Sequence, residues 1–134
     1  MENNNYTKKE IGSDITVRYH NADGKLHRTD GPAVEGADGT KEWYLDGKRH
    51  RTNGPAIELA DGSKCWYQND KLHRTDGPAI ERADGSKYWY IDGLLHRTDG
   101  PAIELADGIK IWYVKGKKLF ETEFLENIEN NYNS

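Results

Sequence analysis

Four His-Arg pairs recur along the chain: His27-Arg28, His50-Arg51, His73-Arg74 and His96-Arg97. Imidazole is the usual acid–base and metal-binding side chain near neutral pH, and guanidinium is the group best shaped to grip a phosphate or carboxylate. Glu35, Glu58, Glu81 and Glu104 recur on the same step, so acid–base work by paired carboxylates must also be weighed. The step is 23 residues. Trp43, Trp66, Trp89 and Trp112 follow it, as do Pro32, Pro55, Pro78 and Pro101. A fixed period of this size means one supersecondary unit stacked on copies of itself.

The repeat decides most of the chemistry. Each copy offers three short candidate strands, which in the second copy are 55–60, 63–68 and 71–74. Equivalent residues then lie three strand spacings apart, roughly 14 Å. A shared metal ion needs ligand nitrogens about 2 Å away, so the His column predicts no metal site. His73 is expected to be largely buried beside Trp66 and Ile80, without a catalytic role. Arg28, Arg51, Arg74 and Arg97 could bind phosphates or an acidic partner; the alternative is a bridge to a nearby acid of the same copy, such as Asp76 or Glu81. Cys65 has no cue for thiolate activation. No nucleophile triad, phosphate-cradling glycine loop or metal-spaced cluster is legible. The sequence therefore predicts no catalytic, cofactor or metal residues.

Turn chemistry positions these residues. Asp-Gly recurs at 38–39, 61–62, 84–85 and 107–108, and again at 23–24, 46–47 and 92–93, with Asn69-Asp70 once in its place. Asp-Gly between strands is a strong hairpin signal. Reading Asp38-Gly39 and Asp46-Gly47 as two-residue loops, and 52–55 as a four-residue loop, predicts a row across the sheet. That row runs Val34, Trp43, His50, Ile57, Trp66, His73, Ile80 and onward to Leu119. In this register Glu35 faces Glu42, and Glu58 faces Cys65.

The fold class expected is all-β: an antiparallel hairpin or meander array of 23-residue repeats with a short C-terminal helical cap. Residues 1–13 read as a polar N-terminal segment, 14–121 as the array and 122–134 as the cap and a polar tail. Asp14 to His20 reads as the first strand. In the cap, Thr122 is the expected N-cap, and Phe124, Leu125 and Ile128 share one face.

Composition sets the remaining bounds. The 134 residues include 34% hydrophobic residues, low for a single packed core, but four Trp and eight Tyr at regular spacing argue against disorder. Nineteen Lys and Arg are interspersed with 23 Asp and Glu, which argues against a nucleic-acid or membrane-surface binder. The single cysteine implies no disulfide framework. No apolar run follows the N-terminus, so the expected location is the cytoplasm.

The stretch Trp43-Tyr-Leu-Asp-Gly-Lys-Arg-His-Arg-Thr-Asn-Gly54, with a later Ala-Asp-Gly, resembles the MORN repeat over about residues 19–119. The variant His-Arg-x-Asp-Gly-Pro-Ala is similar to MORN-like proteins of tailed phages and large DNA viruses. The resemblance implies an elongated hairpin array used as a scaffold, dimeriser or partner-binding surface.

Positions that differ between copies are free to face a partner. Gly36, Leu59, Arg82 and Leu105 share one register; Glu42, Cys65, Tyr88 and Ile111 share another. The candidate partner-binding residues are therefore Arg28, Arg51, Arg74, Arg97, Leu59, Arg82, Tyr88 and Leu105. The function expected is a non-enzymatic protein-interaction module; the resemblance implies a small viral protein acting on a host protein in the host cytoplasm. The alternative is a protein that sequesters an anionic nucleotide or other phosphorylated ligand through its Arg residues. A homo-oligomer is compatible with either.

Overall fold

The structure, a computed structural model, describes residues 15–132. The expected polar segment 1–13, the strand start at Asp14 and the last two residues of the tail lie outside them. The described chain is an array of short antiparallel β-strands followed by one helix, and it divides into two units, Met1–Lys71 and Leu72–Ser134.

In the first unit β1 (Val17–Arg18), β2 (Val34–Glu35), β3 (Lys41–Glu42), β6 (Ile57–Glu58) and β7 (Lys64–Cys65) lie side by side in that order. β4 (Tyr44–Leu45) and β5 (Lys48–Arg49) form a separate hairpin. β8 (Tyr67–Gln68) and β9 (Lys71–Leu72) follow, and the boundary between units falls inside β9. The second unit repeats the scheme. β10 (Ile80–Glu81), β11 (Lys87–Tyr88), β14 (Ile103–Glu104), β15 (Lys110–Val114) and β16 (Lys117–Leu119) form its sheet, and β12 (Tyr90–Ile91) with β13 (Leu94–Leu95) its hairpin.

The Asp-Gly turns are of two kinds, and Asp23-Gly24 closes like Asp38-Gly39, with the Asn21 N–H donating to the Lys25 carbonyl and the Gly24 N–H to the Asn21 carbonyl. At 46–47 and 92–93 both residues have φ between 48 and 81°, as a two-residue type I′ loop requires. Asn69-Asp70 and Lys115-Gly116 do the same. At 38–39 only the glycine is left-handed, with φ 96°. There the Gly36 N–H donates to the Thr40 carbonyl and the Gly39 N–H to the Gly36 carbonyl, which closes a three-residue loop. The extra residue shifts the strand pairing by one. Val34 therefore faces Glu42 rather than Trp43, and Glu35 faces Lys41 rather than Glu42.

The strand that follows each Gly-Pro step also pairs differently from expectation. β6 pairs with β3, not with β5, so Ile57 faces Glu42 and Cys65 rather than His50. The expected Trp-His-Ile row is thus broken after each Trp-His pair. Trp43 is the crossing point: its N–H donates to the Ala56 carbonyl in the sheet, and its carbonyl accepts from the His50 N–H in the hairpin. Trp89 makes the same two bonds, with Ala102 and His96. The strand ladder that results alternates charge: Glu35, Lys41, Glu58 and Lys64 face one another in turn, as do Glu81, Lys87, Glu104 and Lys110. Opposite charges across antiparallel strands favour this register, and the one expected would have set Glu35 against Glu42.

The core is thin. Ala33, Ala56, Ala79 and Ala102, each the residue after Pro, are fully buried, and Val34, Ile103, Leu119 and Phe124 join them. α1 (Glu121–Tyr132) packs against β15 and β16, as expected of a cap on the last strand. Its start and faces need correction. The helix begins at Glu121, and the Phe120 N–H donates to the Glu123 carboxylate, so Phe120 is the N-cap and Thr122 lies inside the first turn. This is one half of a capping box, and a non-polar N-cap residue hides it from sequence. Phe124 is buried, but Leu125 is exposed, so the apolar stripe is narrower than expected. The helix also runs through Tyr132, into the residues expected as tail.

Candidate binding clefts

The recurring residues are consumed in building the array. Each His is half-buried and accepts, at Nδ1, a backbone N–H from the I′ turn of the next copy. His27 accepts from Asp46, His50 from Asn69, His73 from Asp92 and His96 from Lys115, all at 2.9–3.1 Å. An imidazole that accepts at Nδ1 carries its proton on Nε2. The Asp92 carboxylate lies 3.3 Å from His73 Nδ1, but with that nitrogen unprotonated the contact is no ion pair. His73 is bonded into the array through Nδ1, but its side chain is 24% exposed rather than largely buried, and Ile80 faces Tyr88 rather than His73.

Each Arg repeats one pattern. Its backbone N–H donates to a carbonyl of the next copy: Arg28 to Tyr44, Arg51 to Tyr67, Arg74 to Tyr90 and Arg97 to Tyr113. Its guanidinium folds back on its own copy. Arg74 Nε meets Asp76 at 2.8 Å, while Nη1 reaches the Pro78 carbonyl at 3.0 Å and Glu81 at 3.2 Å. Arg97 makes the same three bonds to Asp99, Pro101 and Glu104. The bridge to Asp76 and Glu81 is thus the arrangement found. The invariant glycine of each Asp-Gly-Pro step makes room for it: a Cβ on Gly100 would sit 2.8 Å from Arg97 Cζ. The guanidinium also covers an aromatic ring, with Arg51 3.8 Å over Trp43 and Arg97 3.8 Å over Trp89.

These pairings fix the ionisation of the loops. Arg74 holds the Asp76 carboxyl below its ordinary range. Burial alone would lower the Arg28 pKa, but Asp30, Tyr19 and Glu35 more than offset it and keep Arg28 charged. The Asp38, Asp61 and Asp84 carboxylates are held low by the backbone N–H groups of Thr40, Ser63 and Ser86, which they cap.

Between successive loops each unit carries an open cleft. The first, about 560 Å³, is lined by Arg28, Asp30, Trp43, His50, Arg51 and Asn53 among others. The second, about 740 Å³, repeats it with Arg74, Asp76, Trp89, His96, Arg97 and Asp99. The expected Arg residues therefore share clefts in pairs, while the variable residues lie elsewhere. Leu59 and Arg82 are exposed at the base of the three-residue loops, with Leu105 at the same place. Tyr88 is half-buried in β11 with Arg82 5.3 Å over its ring. Among the described residues no cluster of His, Cys, Asp or Glu could hold a metal ion, and no helix is long and apolar enough to cross a membrane.

Sequence reasoning missed one pair. Arg49 Nε donates to Asp70 at 2.6 Å, Nη1 donates to the Tyr67 hydroxyl, and the guanidinium lies 4.3 Å over the Tyr67 ring. This contact pulls the Asp70 carboxyl below its ordinary range, while burial pushes the Tyr67 phenol up. The signal was present: Leu26, Leu72 and Leu95 stand at the Arg49 position, and Gly47, Gly93 and Gly116 at the Asp70 position. The two departures come as a pair, Arg49 in one copy and Asp70 in the next. Comparison of the chain with protein-family models, with curated proteins and with solved structures gives no match.

Proposed function

We propose that this chain is a non-enzymatic β-hairpin interaction module of the MORN-like kind, a small viral protein that binds and modulates a host protein in the host cytoplasm. The observation that carries the reading is a division of labour. The residues that recur are spent on inter-copy and intra-copy bonds, as His73 and Arg97 illustrate. Two of the residues that vary, Leu59 and Arg82, stand exposed at one register of the hairpins. Arg and aromatic side chains dominate binding hot spots, and Arg82 lies over Tyr88. The viral origin rests on the resemblance of the His-Arg-x-Asp-Gly-Pro-Ala segment.

Nucleotide sequestration through the Arg residues is the weaker reading, because Arg28, Arg74 and Arg97 each already hold two carboxylates. Affinity capture from a bacterial lysate, repeated with Arg82→Glu, tests the proposal. A specific partner should be retained by the parent chain and lost by the variant. A chain that captures no protein, yet binds a nucleotide tightly in calorimetry, would refute it.

A further inference from the structure

The two clefts differ at one charged position. Asp99 lines the second, and Asn53 stands in its place in the first. Asn53 changes the state of Arg51. The other three guanidinium groups place Nε 2.8–2.9 Å from an aspartate and Nη1 3.1–3.2 Å from a glutamate. Arg51 Nε instead meets the neutral Asn53 amide oxygen at 3.3 Å, and its single carboxylate, Glu58, lies at 3.5 Å. Arg51 is the least neutralised cation of the series, and it faces an open cleft.

The same cleft gathers unpartnered donors. His50 accepts at Nδ1 from Asn69, so its proton is on Nε2, which makes no hydrogen bond among the described residues. No buried side-chain polar atom among them lacks a partner, so this N–H is reachable by solvent. Asn53 gives its oxygen to Arg51, which leaves the amide NH₂ as a donor where Asp99 offers an anionic oxygen. Arg51 Nη2 is likewise without a bond among the described residues. Asp30, the acid on the far wall, is already held by Arg28.

We propose that this cleft is a binding site for one anionic oxygen group, a carboxylate or phosphorylated side chain of the protein partner, gripped by Arg51, His50 and Asn53. The assignment rests on the interaction reading above for the source of the group, but not for the site. The second cleft, with Asp99, is its built-in control.

The test uses the full chain at low ionic strength and follows the Arg Nε–Hε resonances by NMR. The probes are inorganic phosphate and acetyl-triglutamate amide. Arg51 should shift and saturate with at least one probe, and the probe that binds tighter identifies the kind of group. Arg97 should stay still. Asn53→Asp, which installs the residue that Asp30, Asp76 and Asp99 already carry, should fold normally and weaken binding by about tenfold, as a like charge in contact predicts. Equal responses of Arg51 and Arg97, no saturation, or unchanged binding by Asn53→Asp would each overturn the site. Partner capture then separates the two proposals. A partner lost by Asn53→Asp supports the assigned source. A partner retained by a variant that has lost anion binding overturns that source and leaves the interaction reading standing.

Discussion

Replacing Arg97 by Ala asks whether the recurring arginines build the array or serve a partner. Its side chain is 19% exposed, and removing it strips four contacts. The Asp99 carboxylate is 82% exposed and re-hydrates, so that pair contributes about 0–1 kcal/mol at most. The Pro101 carbonyl, 3.0 Å from Nη1 and part-buried, loses a donor worth about 1 kcal/mol. Glu104 is 33% exposed, so its pair is partly screened and adds roughly 0.5–1 kcal/mol. The guanidinium 3.8 Å over Trp89 adds about 1 kcal/mol. Together these place the loss near 3 kcal/mol, on the order of a 10 °C fall in Tm for a chain of this size. Arg97→Lys keeps the charge but loses the planar fork, and should fall about half as far. Asp99→Asn, which touches only the exposed pair, should change Tm by about 2 °C or less. Thermal melts followed at the near-ultraviolet tryptophan signal read all three. An Arg97→Ala chain that melts within about 2 °C of the parent would refute the structural account.

Four further outcomes are expected. In a double-mutant cycle, Arg49→Leu and Asp70→Gly should each change stability, while the pair together, which restores the residues of the other copies, should come within about 1 kcal/mol of the parent; strictly additive effects would mean that the 2.6 Å contact carries no coupling. Ser86 is 3% exposed and its hydroxyl accepts the Ala106 N–H, so Ser86→Ala should cost about 1 kcal/mol in denaturant unfolding, and no change would refute that bond. Ala79 is fully buried, so Ala79→Leu should cost about 1–3 kcal/mol by overpacking, whereas a neutral result would show slack in the core. The backbone N–H groups that Asp38, Asp61 and Asp84 cap hold these carboxyls below the ordinary aspartate value, so their stabilisation is complete above that ordinary value and is lost as pH falls through the lower folded one. A triple Asp→Asn variant keeps the accepting oxygen but cannot titrate, so its Tm should fall less than the parent's between about pH 5 and pH 2. Parallel curves would remove these caps from the acid transition.

The sequence was most legible where one residue type admits one geometry. Asp46-Gly47 needs two left-handed residues and takes them, so the Trp43–His50 pairing expected from it is found. It was least legible where the same dipeptide serves two loops. Asp38 stays out of the left-handed region because its carboxylate caps the Thr40 N–H instead, and this one local bond moves the register of the whole ladder. The neighbour of the strand that follows each Gly-Pro step was beyond local reasoning as well. Loop length allowed β6 to lie beside β5, but the Trp43 N–H reaches the Ala56 carbonyl, and that long-range bond seats β6 on β3. The roles of the recurring polar residues follow from this placement. The spacing of His50 already pointed to a structural role, and its Nδ1 is committed to the next turn, which leaves only the Nε2 proton to offer a ligand. A repeated residue can therefore be structural at one atom and available at another. Only copy-specific neighbours such as Asn53 show which copy has a vacancy beside that atom.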